Sequence, residues 1–423
     1  MAPSLRETLG AGLHHGLLQK YFVSDADQAN IKFDVGEQNI IGQWIYALVT
    51  PFSTTVQGVS HGDLLLTWQG QPNGPFAGQP LLMDQTTYEI FSAIWGPASP
   101  ASVTVIPKTE LLNYAWTHRP AWAIVPFESL EPRWKVLTID GLSPIHKDFN
   151  PETYPLKLPL SLTGEPVAVE WIKTNFPITL SNRDPQKLTV VVLTGVTALV
   201  RATAYLMEQH GITYPDQEIR DLLLSADITH ISNEVPFAVD CPFPDPVQAE
   251  IRFCSRDAYI QLLEDVGTDV VELTGDHFQD WGTEAMFHTL EMYRQRSWLY
   301  YGGGLDLNDG RKALLLENNG NRMAFLGCNA KGGSFAQASD TAPGAVACDF
   351  AWMVQETRRL TQDGYLVIVT FQHNEYYTYL AQPDQQADFR QFAEAGAVIV
   401  SGSQAHQPQG MEFLNGTFIH YGL

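Results

Sequence analysis

Five apolar runs in the second half of the chain each lead straight into a small polar cluster, and this repetition constrains the fold more than any other feature. The runs are Leu188–Thr194, Ile228–Ile231, Asp269–Leu273, Leu366–Phe371 and Ala397–Val400. The clusters after them are Gly195, Ser232-Asn233-Glu234, Thr274-Gly275-Asp276-His277, Gln372-His373-Asn374-Glu375 and Ser401-Gly402-Ser403-Gln404-Ala405-His406. Short runs of Val, Ile and Leu without polar alternation read as strands buried on both faces. In open α/β sheets, functional groups gather beyond the carboxyl ends of such strands. His, Asp, Glu and Asn delivered there repeatedly are the ingredients of a metal-assisted hydrolytic site.

Helical patterns alternate with these runs, at Thr197–His210, Tyr214–Leu224, Ser255–Val266, Glu284–Arg296, Ala351–Asp363 and Gln385–Ala395. A βαβα rhythm predicts a layered α/β domain. At 423 residues the chain exceeds a usual single core, so two domains are expected. Pro159–Gln186 has the Pro, Gly, Ser and Asn content of a connector, which sets the boundary near residue 185. Residues 1–185 then form a smaller α/β domain, and residues 186–423 carry the clusters. In the first domain, strands are expected around Trp44–Val49, Val103–Ile106, Ala121–Phe127 and Val136–Ile139, and helices at Glu7–Lys20 and Thr86–Ile94. No nucleophile–base or metal-ligand pattern emerges there.

The formal charge of −22 argues against nucleic acid or an anionic membrane surface as the main partner. No apolar stretch is long enough to span a bilayer, and the first residues lack the apolar core of a signal peptide. That leaves two readings, a cytoplasmic protein or one whose leader has been removed. Cys241, Cys254, Cys328 and Cys348 form no CxxC, which disfavours a zinc ribbon. Two local disulfides in an oxidising compartment and four buried thiols remain equally open. Gly302-Gly303-Gly304 lacks the Lys-Ser/Thr of a phosphate loop, and Ser401-Gly402-Ser403 is not a nucleophile elbow.

At the polar clusters, the second half resembles the CapA family of bacterial capsule or poly-γ-glutamate synthesis proteins, which have a calcineurin-like metallophosphatase fold. The residues that carry the resemblance, in order, begin with Ala226-Asp227-Ile228 leading to Asn233-Glu234-Val235-Pro236. Val266–Leu273, leading to Thr274-Gly275-Asp276-His277, follows, with Asp280-Trp281-Gly282 after it. Then come Gln372-His373-Asn374-Glu375-Tyr376, Gly396–Gln409 and Ile419-His420-Tyr421-Gly422-Leu423. The first segment resembles part of a type II periplasmic solute-binding domain, at His61–Gly70, Trp122–Phe127 and Tyr154-Pro155-Leu156.

The resemblance implies a metal set of Glu234, Asp276, His373 and His406, holding one or two divalent ions (Mn, Fe or Zn). It implies His277 as general acid, acting with Asp276. Asn233, Glu375 and Gln404 would meet substrate, and Asp280 would fix an imidazole, a role also open to Glu375. Three departures bear on this. Gly195-Val196 stands where the family has Gly-Asp, Gln404 where it has a His, and Asp276 where it has an Asn. The family pattern also continues beyond the closing element that ends here at Leu423, so a last piece of sheet is expected to be missing. The implied function is metal-dependent hydrolysis of a phosphoester or amide, or a part in capsule or poly-γ-glutamate synthesis. The implied setting is outside the cytoplasm, and the implied partner is a small anionic substrate or a poly-γ-glutamate-like polymer. The alternative is a binding or assembly protein with a degenerate metal site.

Overall fold

A computed structural model describes residues 29–175, 180–333 and 335–423. The helix expected at Glu7–Lys20 lies outside them. The chain divides into two compact units, residues 1–185 and 186–423.

The first unit is built on a mixed sheet whose strand order is Ile31–Val35, Lys157–Gly164, Ile40–Pro51, Trp122–Pro126, Leu81–Met83 and Val103–Val105. The long strand Ile40–Pro51 is central and buried over most of its length. Side chains alternate faces along it, as the pleat requires. Tyr46 and Leu48 pack with Leu64, Trp68, Ile90 and Phe91 of the helices His61–Trp68 and Gln85–Trp95. Ala47 and Val49 pack on the other side, with Leu111 and Ala115 of the helix Leu111–Thr117. The result is three layers with helices outside. Asp84 caps the Gln85–Trp95 helix, accepting from the Thr87 N–H at 2.7 Å.

The second unit holds two sheets. One is fully parallel, ordered Val191–Thr197, Ile228–Asn233, Val270–Glu272 and Leu299–Tyr301. The other is ordered Leu314–Asn318, Asn321–Asn329, Leu366–Gln372, Ile399–Gly402, Thr417–His420 and Met411–Leu414. Its four middle strands are parallel and its two outer strands antiparallel.

Why the apolar runs lack alternation is visible in the packing. Ile228, Val270, Tyr301, Phe325 and Ile368 form one core between the two sheets. Their sequence neighbours face outward to helices. Val271 and Leu273 join the core under Thr283–Gln295. Val367, Val369 and Phe371 join the core under Phe350–Gln362 and Pro383–Glu394. Both faces of the inner runs are therefore buried, while the edge strand Val191–Thr197 is half-buried, in four layers ordered helix, sheet, sheet, helix.

Several boundaries differ from those expected. The first strand runs Val191–Thr197, three residues later than expected, so Gly195 lies within it. The cause is pairing that resumes after a register irregularity, with Val196 opposite Ser232 and Thr197 opposite Asn233. The helix expected over Tyr214–Leu224 is a 3₁₀ turn at Tyr214–Asp216, with Pro215 in its first turn, followed by a short helix Arg220–Leu224. Of the two cysteine readings, the structure takes the bonded one, with Cys241–Cys254 and Cys328–Cys348 closing separations of 13 and 20 residues.

Candidate metal site where two sheets meet

Hydrogen bonds join the strand ends of the two parallel arrays. Gln372, at the end of its strand, reaches Asp276 twice. Its Oε1 accepts from the Asp276 N–H at 2.9 Å, and its Nε2 donates to Asp276 Oδ1 at 3.1 Å. Asn329, ending the neighbouring strand, donates to the Thr274 carbonyl at 2.6 Å and to Gln372 Oε1 at 2.7 Å. Gln404 Nε2 donates to Ser232 Oγ at 3.0 Å. Through Asp276, Thr274 and Ser232, these side chains of the six-stranded sheet hold the strand ends of the four-stranded one.

Beneath them lies a fully buried carboxylate, Glu272. Its Oε1 accepts from Thr274 Oγ1 and Ser403 Oγ, each at 2.6 Å, and its Oε2 lies 3.4 Å from His230 Nε2. Burial alone would push its pKa up. The close His230 imidazole, with hydrogen bonds from the Ser403 and Thr274 hydroxyls, outweighs it and holds the pKa below the usual carboxylate range. Glu272 thus pins the turns that carry Asp276 and Gln404.

Ligand atoms of Glu234, Asp276 and His277 all lie within 4.8 Å of one another. Gly275 makes this approach possible, because a side chain there would place Cβ 2.9 Å from Glu234 Cα and 3.0 Å from Gln404 Nε2. His277 Nδ1 lies 2.7 Å from Asp280 Oδ2. A carboxylate only accepts, so Nδ1 carries the proton and Nε2, 3.9 Å from Asp276 Oδ1, is the free nitrogen. Burial opposes the imidazolium, but the Asp280 hydrogen bond and the carboxylates of Asp280, Asp276 and Glu234 raise the His277 pKa above its ordinary value.

His406 sits on a turn with φ of 55°, a left-handed conformation uncommon for a side-chain-bearing residue. Its Nε2 is 3.7 Å from Glu234 Oε1 and 3.5 Å from Glu375 Oε1, distances of charge contact rather than short hydrogen bonds. Glu234, ahead of Glu375 and against the effect of burial, raises its pKa. Glu375 hydrogen-bonds Lys331 and accepts from Tyr377 Oη at 2.6 Å. Lys331 Nζ also stands 3.3 Å from Asp276 Oδ2. His373 donates Nε2–H to Asp388 at 2.9 Å and is not one of the three clustered ligands. Asn233 is fully buried, donating to the Val235 carbonyl at 2.8 Å and to Tyr293 Oη at 2.7 Å.

The fit to a cation rests on orphaned atoms. Asn233 Oδ1, Glu234 Oε1, Gln404 Oε1 and His373 Nδ1 are buried and have no hydrogen-bond partner. A buried polar atom left unpaired costs about 1–3 kcal/mol. Carboxylate and amide oxygens and an imidazole nitrogen are the atom types that suit a divalent ion such as Mn, Fe or Zn. Val196 offers no ligand, and its place in the strand opposite Ser232 leaves that corner without a carboxylate.

Four residues that no sequence pattern assigned to the site enter here. Asn329 and Lys331 follow a sixth apolar run, Met323–Cys328, which obeys the same rule as the other five. Gln372 lies within one of the polar clusters, yet its neutral amide gave it no role. Arg201 had nothing in its surroundings to mark it. It adopts φ of 48°, its Nε is buried without a partner, and its guanidinium stacks 4.6 Å over Phe253. The Phe253 ring in turn meets His277, with centroids 4.9 Å apart.

A family described as "Bacterial capsule synthesis protein PGA_cap" matches residues 190–423. The chain is 22% identical over 283 residues to "Capsule biosynthesis protein CapA" of Bacillus anthracis, covering 66% of this chain and 68% of that one. It is 26% identical over 220 residues to "PGA biosynthesis protein CapA" of Bacillus subtilis, covering 51% of this chain and 57% of that one. The matches therefore span between about half and two thirds of those relatives. Among solved structures, an ABC-type phosphate transport receptor from Vibrio cholerae shares 14% identity over 38% of this chain and 75% of its own, with a TM-score of 0.29. A likeness that slight carries no argument. Among the described residues, no helix is long and apolar enough to cross a membrane.

Proposed function

The chain belongs to the bacterial capsule synthesis protein family PGA_cap, and on that premise we propose that its second unit is a metal-dependent hydrolytic site serving capsule or poly-γ-glutamate synthesis. The observation that carries this reading is the Glu234, Asp276 and His277 trio, whose ligand atoms lie within 4.8 Å of one another, with Glu234 Oε1 and the neighbouring Asn233 Oδ1 buried and partnerless. Glu234 and Asp276 would hold the ion, with His373 and His406 at the rim of the site. A bound divalent ion supplies Lewis acidity toward a phosphoryl or carbonyl oxygen and lowers the pKa of water.

The protein's own residues do the rest. Gln372 fixes the Asp276 carboxylate through its backbone and its side chain. Asp280 holds His277 in the tautomer that leaves Nε2 facing Asp276. His277 Nε2 is then placed to carry a proton to or from a reacting oxygen or nitrogen. Arg201 would offer its guanidinium to an anionic substrate group. Two disulfides suit an oxidising compartment, so the reading places the protein outside the cytoplasm. The first unit would act as a solute-binding-like companion domain.

A second reading, a binding or assembly protein without turnover, is favoured by one observation. Lys331 already neutralises part of the acidic cluster.

The test is hydrolysis of p-nitrophenyl phosphate and of γ-glutamyl-p-nitroanilide with added Mn2+. Turnover of either by the wild type, falling about a hundredfold or more in His277→Ala, is expected. Metal binding without turnover of either would favour the second reading.

A further inference from the structure

Resting on the metal-site reading above, we propose that Lys331 is a resident cation that occupies the place of a second metal ion, so that the native site takes one. The lysine leaves the end of the Asn321–Asn329 strand and reaches two carboxylates at once. Its Nζ is 3.3 Å from Asp276 Oδ2 and hydrogen-bonds Glu375 Oε1. The turn that carries it is held tightly. Asn329 Oδ1 accepts from the Gly332 N–H, and a side chain at Gly332 would place Cβ 2.8 Å from that oxygen and 3.0 Å from Asp276 Cβ. The turn is therefore fixed close to Asp276, and the partly exposed Lys331 side chain reaches both carboxylates from it.

Charge balance gives the same result. Glu234, Asp276 and Glu375 bring three negative charges, and Asp280 is committed to His277. One divalent ion and one ammonium balance three carboxylates, whereas two divalent ions beside Lys331 would leave an excess of positive charge. An ammonium has three donors and no acceptor, so it competes with a metal for carboxylate lone pairs and cannot share a site with it. The neutral side chains at Val196 and Gln404 add no charge to hold another ion. Gln404 has its Nε2 spent on Ser232.

The experiment is calorimetric titration of Mn2+ alone into the full chain, for the wild type, Lys331→Met and Lys331→Arg, each checked for a cooperative thermal transition. The wild type should take about one equivalent, as one divalent ion beside the ammonium requires. Lys331→Met should take a second, or hold the first at least about tenfold more tightly, since a competing charge is gone. Lys331→Arg, which keeps the charge, should match the wild type. Lys331→Gln replaces the Met variant if that one fails to fold.

The inference falls if the neutral variant binds with unchanged stoichiometry and affinity, or if the wild type takes two equivalents. It also separates from the reading it rests on. A wild type that takes no Mn2+ beside a neutral variant that does would refute both the native metal site and the one-ion stoichiometry proposed here, leaving Lys331 only as a charge that excludes metal. If neither binds, both fall. A metal-binding wild type with an unaltered neutral variant overturns only the role of Lys331.

Discussion

The four-stranded sheet and the six-stranded sheet of the second unit end at the same edge but bring different chemistry to it. The first delivers carboxylates, Glu234, Asp276 and Asp280, with His277 held among them. The second delivers Lys331, His373 and His406, the amides Gln372, Gln404 and Asn329, and a carboxylate, Glu375. On the proposed reading, the first wall would hold a cation. The second orients the acids of the first, and its Lys331 would limit how much further positive charge they accept. The lesson is that the strand ends of one sheet do not make the site alone, because Asp276 has its geometry from Gln372 on the opposite sheet.

The largest break in this arrangement should come from Glu272→Ala. The change leaves His230, Thr274 and Ser403 facing an empty buried position, and removing one member of a buried charged set costs about 3–5 kcal/mol. Denaturant unfolding of both proteins checks it. The pH dependence has a defined sign. The pKa of Glu272 is depressed in the folded chain, so its contribution is fully present above the ordinary glutamate pKa, about 4.3, and is lost as pH falls through the folded value. The gap between wild type and variant should therefore narrow in acid. A gap that does not narrow at all as pH falls below about 4.3, the ordinary glutamate value, would show that packing, not charge, accounts for it.

A smaller effect is expected from Gln372→Ala, which frees Asp276 from the second sheet while leaving every carboxylate in place. Partners that orient metal ligands typically contribute about 10- to 100-fold in affinity. Mn2+ titration should show a loss of that size with thermal stability changed far less. Unchanged affinity would mean that the first sheet places Asp276 without help.

Much of this was legible in the sequence, and the parts that were not have physical reasons. Leu366–Phe371 and Ile228–Ile231 read directly as doubly buried strands because each packs a sheet core on one face and helices on the other. Glu234, Asp276 and His277 could be singled out because charged groups after apolar runs are conspicuous. Gln372 and Asn329 could not, since neutral amides after a strand look like any solvated turn and their importance lies in pairing between residues far apart in the chain. Lys331 stayed hidden for a similar reason. A lone lysine in the Gly-rich stretch Lys331-Gly332-Gly333 reads as exposed, and only its distance to Asp276 gives it meaning. The first strand was misplaced because Gly195 reads as a terminator, whereas pairing with the neighbouring strand carries on past it.

The most direct measurement is elemental analysis of chelator-free protein after incubation with Mn, Fe and Zn in turn, on the wild type and on Asp276→Ala. About one equivalent of at least one metal in the wild type is expected, with less than roughly a tenth of that in the variant, because the deleted carboxylate is the ligand both sheets position. No metal in the wild type, or the same content in both proteins, would contradict a metal site at this edge.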